Sequence, residues 1–78
     1  MTKNIYKTIG KVFKNKRIDL RLRQQDIANK IGKDRSTYTY YESGKARMDI
    51  DTYLELCKIL EIDANELMNQ IIKEMKSL

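Results

Sequence analysis

The sequence has no proline, no histidine and no tryptophan, one cysteine and three glycines. Each scarcity excludes something. Few breakers favour helices joined by short turns. Without histidine there is no imidazole base and no histidine-ligated metal site. The single thiol, Cys57, forms no intrachain disulfide, builds no zinc site and fits a reducing cytosol. No apolar run exceeds two residues, so no segment is expected to span a membrane. The opening MTKNIYKTIGK is charged and has no apolar stretch, so no secretory signal is expected. There is no phosphate-cradling glycine loop and no nucleophile motif. Carboxylates fall mainly at cap positions and on exposed faces. The chain is therefore expected not to be an enzyme and to need no cofactor, metal or small-molecule ligand.

The chain has 78 residues, enough for one domain. A domain this small buries only about 60% of the surface its unfolded chain exposes, so packing must be economical or shared with a partner. The net charge of +5 is unevenly spread. Residues 1–23 carry eight Lys/Arg and one Asp, residues 24–47 five against three, and residues 48–78 three against seven. A basic face in the first 47 residues points to a polyanion, with nucleic acid ahead of membrane. A solvated, lysine-rich surface has the same composition.

Helical spacing starts with Ile5, Ile9, Phe13, Arg17 and Leu20, one stripe that only Arg17 interrupts. It predicts a first helix over about 4–21. Ile27, Ala28 and Ile31 share a face before Gly32, which can end a helix in the left-handed conformation; the second helix is short, about 24–31. Asp34 is a good N-cap for a third helix over about 34–43, with Tyr38 and Tyr41 facing inward. Asp49 or Asp51 caps a fourth, about 51–60, and Asp63 a fifth, about 64–76. Leu67, Ile71, Met75 and Leu78 form a stripe on the fifth, widened by Ile72. No hairpin, repeat, linker or low-complexity tract appears. The expected fold is all-α, a compact bundle of five helices.

Two short helices joined by a glycine turn form a helix-turn-helix. The motif needs a small residue where the helices cross, here Ala28, a turn glycine, here Gly32, and two core positions in the second helix, here Tyr38 and Tyr41. The stretch LRQQDIANKIGKDRSTYTYYESGK, residues 22–45, resembles the Cro/cI-type helix-turn-helix family of phage repressors and bacterial regulators, also called the xenobiotic-response-element family. The likeness extends through MDIDTYLELCKILEIDANELM and back to KRIDLRL, so it covers roughly residues 9–68. Lys33 stands at a turn position that is usually apolar, and Tyr38 and Tyr41 are larger than the usual aliphatics. Both bear on the tilt of the third helix.

The resemblance implies a DNA-binding-domain fold of the phage-repressor type, with the motif at residues 24–43. It implies a cytoplasmic, nucleoid-associated regulator of transcription that binds double-stranded DNA. The third helix would enter the major groove, which places Arg35, Ser36, Thr39 and Tyr40 toward the bases. Arg35 can take guanine O6 and N7, and Thr39 can offer its methyl to a thymine methyl. Arg35 can equally meet a phosphate, Ser36 can serve as a local cap, and Tyr40 can reach a base or a phosphate. Gln24 at the start of the second helix, and Lys45 and Arg47 after the third, would contact phosphate, with Arg23, Arg21 and Lys16 as further candidates. Arg17 would pair with Glu42; alternatively it is one more surface cation.

Palindromic operators imply a homodimer. The helix 5 stripe of Leu67, Ile71, Met75 and Leu78 is the candidate interface, with helix 4 as a possible addition. The competing destination is intramolecular, against Ile5, Ile9 and Phe13. A repressor, a restriction–modification controller and an antitoxin all fit so compact a chain. A protein-interaction module of the same fold and an RNA binder are the rival readings.

Overall fold

The computed structural model describes residues 4–76. They form five α-helices: α1 (Ile5–Asp19), α2 (Gln24–Lys30), α3 (Arg35–Ser43), α4 (Ile50–Ile59) and α5 (Ala64–Lys76). No strand occurs among the described residues. The all-α five-helix bundle expected from the sequence is present, with the helix-turn-helix at α2 and α3.

Side-chain caps set most of the helix starts. The Asn4 side chain accepts from the Tyr6 and Lys7 N–H groups, Asp34 from Thr37 N, and Asp49 from Thr52 N. Asp63 Oδ1 accepts from Asn65 N and Glu66 N. Each satisfies donors that the first turn leaves orphaned. Gly32 (φ 69°) and Gly44 (φ 75°) follow α2 and α3 in the left-handed conformation. Two other helix ends lack a glycine. Arg21 (φ 58°) and Glu61 (φ 57°) adopt the same conformation at the ends of α1 and α4. There Leu22 N bonds Arg17 O at 3.0 Å, and Ile62 N bonds Cys57 O at 2.8 Å. For this reason α1 stops at Asp19 rather than running to about residue 21.

One continuous core holds the helices. Phe13, Ile27, Ala28, Tyr38, Leu56 and Leu60 are fully buried within it. Phe13 and Tyr53 stack with ring centroids 6.2 Å apart, and the Tyr53 hydroxyl donates to Ala64 O at 2.8 Å. Cys57 is buried beside them, and burial pushes its thiol pKa up, which keeps the sulfur protonated. Helix α3 is central, packing on both α1 and α2. The α1–α3 crossing is close enough that a Cβ on Gly10 would collide with the carbonyls of Tyr41 and Glu42.

Helix α5 packs on α1 and α4. Leu67 and Ile71 are thereby buried inside the chain. This corrects the expectation that they line a free dimerisation stripe, because the sequence period cannot tell a neighbouring helix from a second copy. Ile72 and Met75 remain exposed. Leu78 lies outside the described residues.

Candidate nucleic-acid interface

Burial of Tyr38 and Tyr41 fixes the roll of α3 and decides what its outer face shows. Arg35, Ser36, Thr39 and Tyr40 line one shallow depression on that face. Arg35 also borders a neighbouring depression lined by Arg17, Arg23, Gln24 and Gln25. Arg35, Ser36 and Tyr40 are exposed, while Thr39 is half-buried. Just beyond α3, Lys45 and Arg47 are exposed. Arg21 is exposed and Lys16 half-buried. The surface is open, polar and rich in donors, so it suits a polyanion better than an enclosed ligand.

Behind it lies an ion pair. Arg17 Nε meets Glu42 Oε2 at 2.6 Å, with side chains 12% and 3% exposed. Arg17 Nη2 adds a bond to Glu42 Oε1 at 3.2 Å, and Nη1 donates to Leu22 O at 2.9 Å. The pair ties α1 to α3 and to the loop before α2. Burial pushes the Glu42 pKa upward, but hydrogen bonding from Arg17 and Gln24 outweighs it and holds the carboxyl below its usual range. Hydrogen bonding to Glu42 raises the Arg17 pKa in turn. The buried Tyr38 hydroxyl lies beside this pair without a hydrogen bond of full geometry, and burial pushes its pKa far up.

Two polar residues are less free than the sequence implied. Gln24 Nε2 donates to Glu42 Oε1 at 3.0 Å. Gln24 Oε1 accepts from Thr39 Oγ1 at 3.0 Å and from Arg35 Nε at 3.4 Å. Its amide thus faces α3. Arg23 is committed as well, with Nη2 on Asp26 Oδ1 at 3.0 Å, while Asp26 also accepts from the Arg23 N–H at 2.8 Å. A phosphate contact by Arg23 has to compete with that carboxylate.

Gly10 was missed as a determinant of the site. Nothing local marks it, since it sits inside a regular helix. Gly44 has a similar role, because a Cβ there would strike the Lys7 backbone at 2.5 Å from its Cα. Asn4 Nδ2 donates to Gly44 O at 3.3 Å across the same approach. The two glycines set how closely α3 lies on α1.

No helix among the described residues is long and apolar enough to cross a membrane. A family model described as helix-turn-helix matches residues 13–67. No curated protein and no solved structure matches the chain.

Proposed function

The chain belongs to the Cro/cI-type helix-turn-helix family of DNA-binding regulators, and on that premise we propose that it is a sequence-specific repressor that binds a palindromic operator as a homodimer. One observation carries this reading. The roll of α3 buries two tyrosines and turns Arg35, Ser36, Thr39 and Tyr40 onto one open face. Such a helix docks in the major groove with those side chains toward base edges. Lys45 and Arg47 stand beside it to neutralise phosphates. The protein then works in the cytoplasm, on the nucleoid of a bacterium or on phage DNA.

The dimer is supported by apolar surface that the chain leaves uncovered. Ile50 and Leu54 on α4 and Ile72 and Met75 on α5 are 60%, 49%, 43% and 49% exposed. A dimer that reads a palindrome needs its two α3 helices about 34 Å apart, one turn of DNA. Ile72→Glu is expected to change monomer stability by no more than about 0.5 kcal/mol, as for other surface substitutions. The same change should leave the protein monomeric in sedimentation at concentrations where the wild type is dimeric. A wild type that is monomeric when bound to its operator would contradict the dimer.

The test of function is selection of bound DNA from a random duplex pool at two salt concentrations. A palindromic consensus with half-sites one turn apart is expected. Arg35→Ala should then cost about 1–3 kcal/mol of base discrimination while random-duplex affinity changes little. Equal losses on both DNAs would remove Arg35 as a base reader. Salt-sensitive binding with no enrichment would favour a protein-interaction module instead.

A further inference from the structure

The hydrogen bonds on the outer face of α3 start from a buried carboxylate. Glu42 takes Arg17 on Oε2 and Gln24 Nε2 on Oε1, the latter at 3.0 Å. An ionised carboxylate only accepts. The amide nitrogen of Gln24 therefore turns inward and its oxygen outward, an orientation that the chemistry of the acceptor fixes. That oxygen takes the Thr39 hydroxyl at 3.0 Å and Arg35 Nε at 3.4 Å. The Thr39 hydroxyl has one proton, and the other acceptor it reaches is Arg35 O at 2.9 Å. Both acceptors belong to the protein, so the Thr39 hydroxyl turns its proton inward and keeps lone-pair capacity for the outside. With Nε turned to Gln24, Arg35 shows its two terminal nitrogens.

We propose that Gln24 is a positioning residue that passes the acceptor character of Glu42 on to α3, so that Arg35 reads guanine through its paired terminal nitrogens and Thr39 meets a base amino group or a thymine methyl without donating. This rests on the reading that α3 enters the major groove. It assigns Gln24 a role different from the phosphate contact that the family resemblance implies. Guanine O6 and N7 suit a bidentate guanidinium, while adenine N6, cytosine N4 and the thymine methyl suit an acceptor beside a methyl group. Half of the reading surface is thus set before DNA arrives, which lowers the ordering cost of binding.

Two measurements test the proposal. The first uses protein without DNA. Nitrogen relaxation of Arg35 Nε should give an order parameter above about 0.6 in the wild type and below it in Gln24→Met, which keeps the volume and removes the amide. A wild-type value as low as that of a free surface arginine overturns the proposal, whether or not the variant folds. The second uses the selected operator and a copy with the Arg35 guanine replaced by adenine. Gln24→Met should shrink the ratio of the two affinities about tenfold, within the range of one bidentate pair, and leave random-duplex affinity unchanged. In an Arg35→Ala background it should shrink the ratio no further. Equal weakening on all duplexes makes Gln24 a phosphate contact and overturns the proposal. If the wild type selects no sequence at all, the DNA-reading function fails, and the relaxation measurement still decides whether Gln24 holds Arg35.

Discussion

Arg17→Met is expected to unfold far below the wild type at neutral pH, with the gap closing on acidification. The substitution strands Glu42, whose side chain is 3% exposed, and removes the donor to Leu22 O. Breaking a buried pair from one side costs about 3–5 kcal/mol. Arg17 keeps some exposure, so the lower end applies. About 3 kcal/mol corresponds to a fall in Tm of about 12–24 °C in a domain this small. The pH dependence has a definite sign. In the wild type the Glu42 pKa is depressed below its ordinary 4.5. Its contribution to stability is present above that value and is lost as pH falls through the lower folded value. Without Arg17, desolvation dominates and the folded pKa rises. The variant then regains stability as Glu42 takes up a proton, so the deficit narrows as the pH drops toward the ordinary carboxyl value. Thermal melts from neutral pH into acid read this directly. A variant as stable as the wild type at pH 7 would show that the pair holds nothing together.

Gly10→Ala is expected to lower both stability and operator affinity. Alanine is the better helix former by about 1 kcal/mol, so in an isolated helix the change would stabilise. Here the added Cβ meets the carbonyls of Tyr41 and Glu42. Those are backbone atoms of α3 and cannot swing aside as a side chain would. Overpacking costs about 1–3 kcal/mol and occasionally more, and rigid neighbours put this case at the upper end. A net loss of about 2 kcal/mol lowers the Tm by about 8–16 °C. The surviving fold must hold α3 farther from α1, which would change how α3 presents Arg35 and Thr39 to the proposed operator. Operator affinity should therefore fall more than random-duplex affinity. A Tm equal to or above that of the wild type would mean that α1 and α3 do not cross at Gly10.

Local rules carried much of the fold. Asp34 and Asp63 cap the helices they were expected to cap, Asp49 rather than Asp51 caps α4, and Gly32 and Gly44 close α2 and α3 in the left-handed conformation. Tyr38 and Tyr41 point inward because an interval of three residues places them on one side of a helix. What stayed hidden was non-local or chemically unusual. Arg21 and Glu61 end helices in a conformation costly to residues with a Cβ, and no sequence signal marks that. Gly10 matters only because α3 lies across it. The α5 stripe had two possible partners, and the fold buries Leu67 and Ile71 within the chain while leaving Ile72 and Met75 outside. Gln24 was expected to contact phosphate; its tie to Glu42 depends on an ion pair between residues 25 apart in sequence.

The most direct measurement is guanine-N7 methylation interference on the selected operator, with wild-type protein and with Arg35→Ala. N7 lies in the major groove, and a methyl there blocks a bidentate arginine. The expected result is one blocked guanine per half-site, the two about one helical turn apart, with the interference lost in Arg35→Ala. Interference that persists in Arg35→Ala, or that is absent from every guanine of the half-sites, would contradict the claim that α3 reads DNA through Arg35.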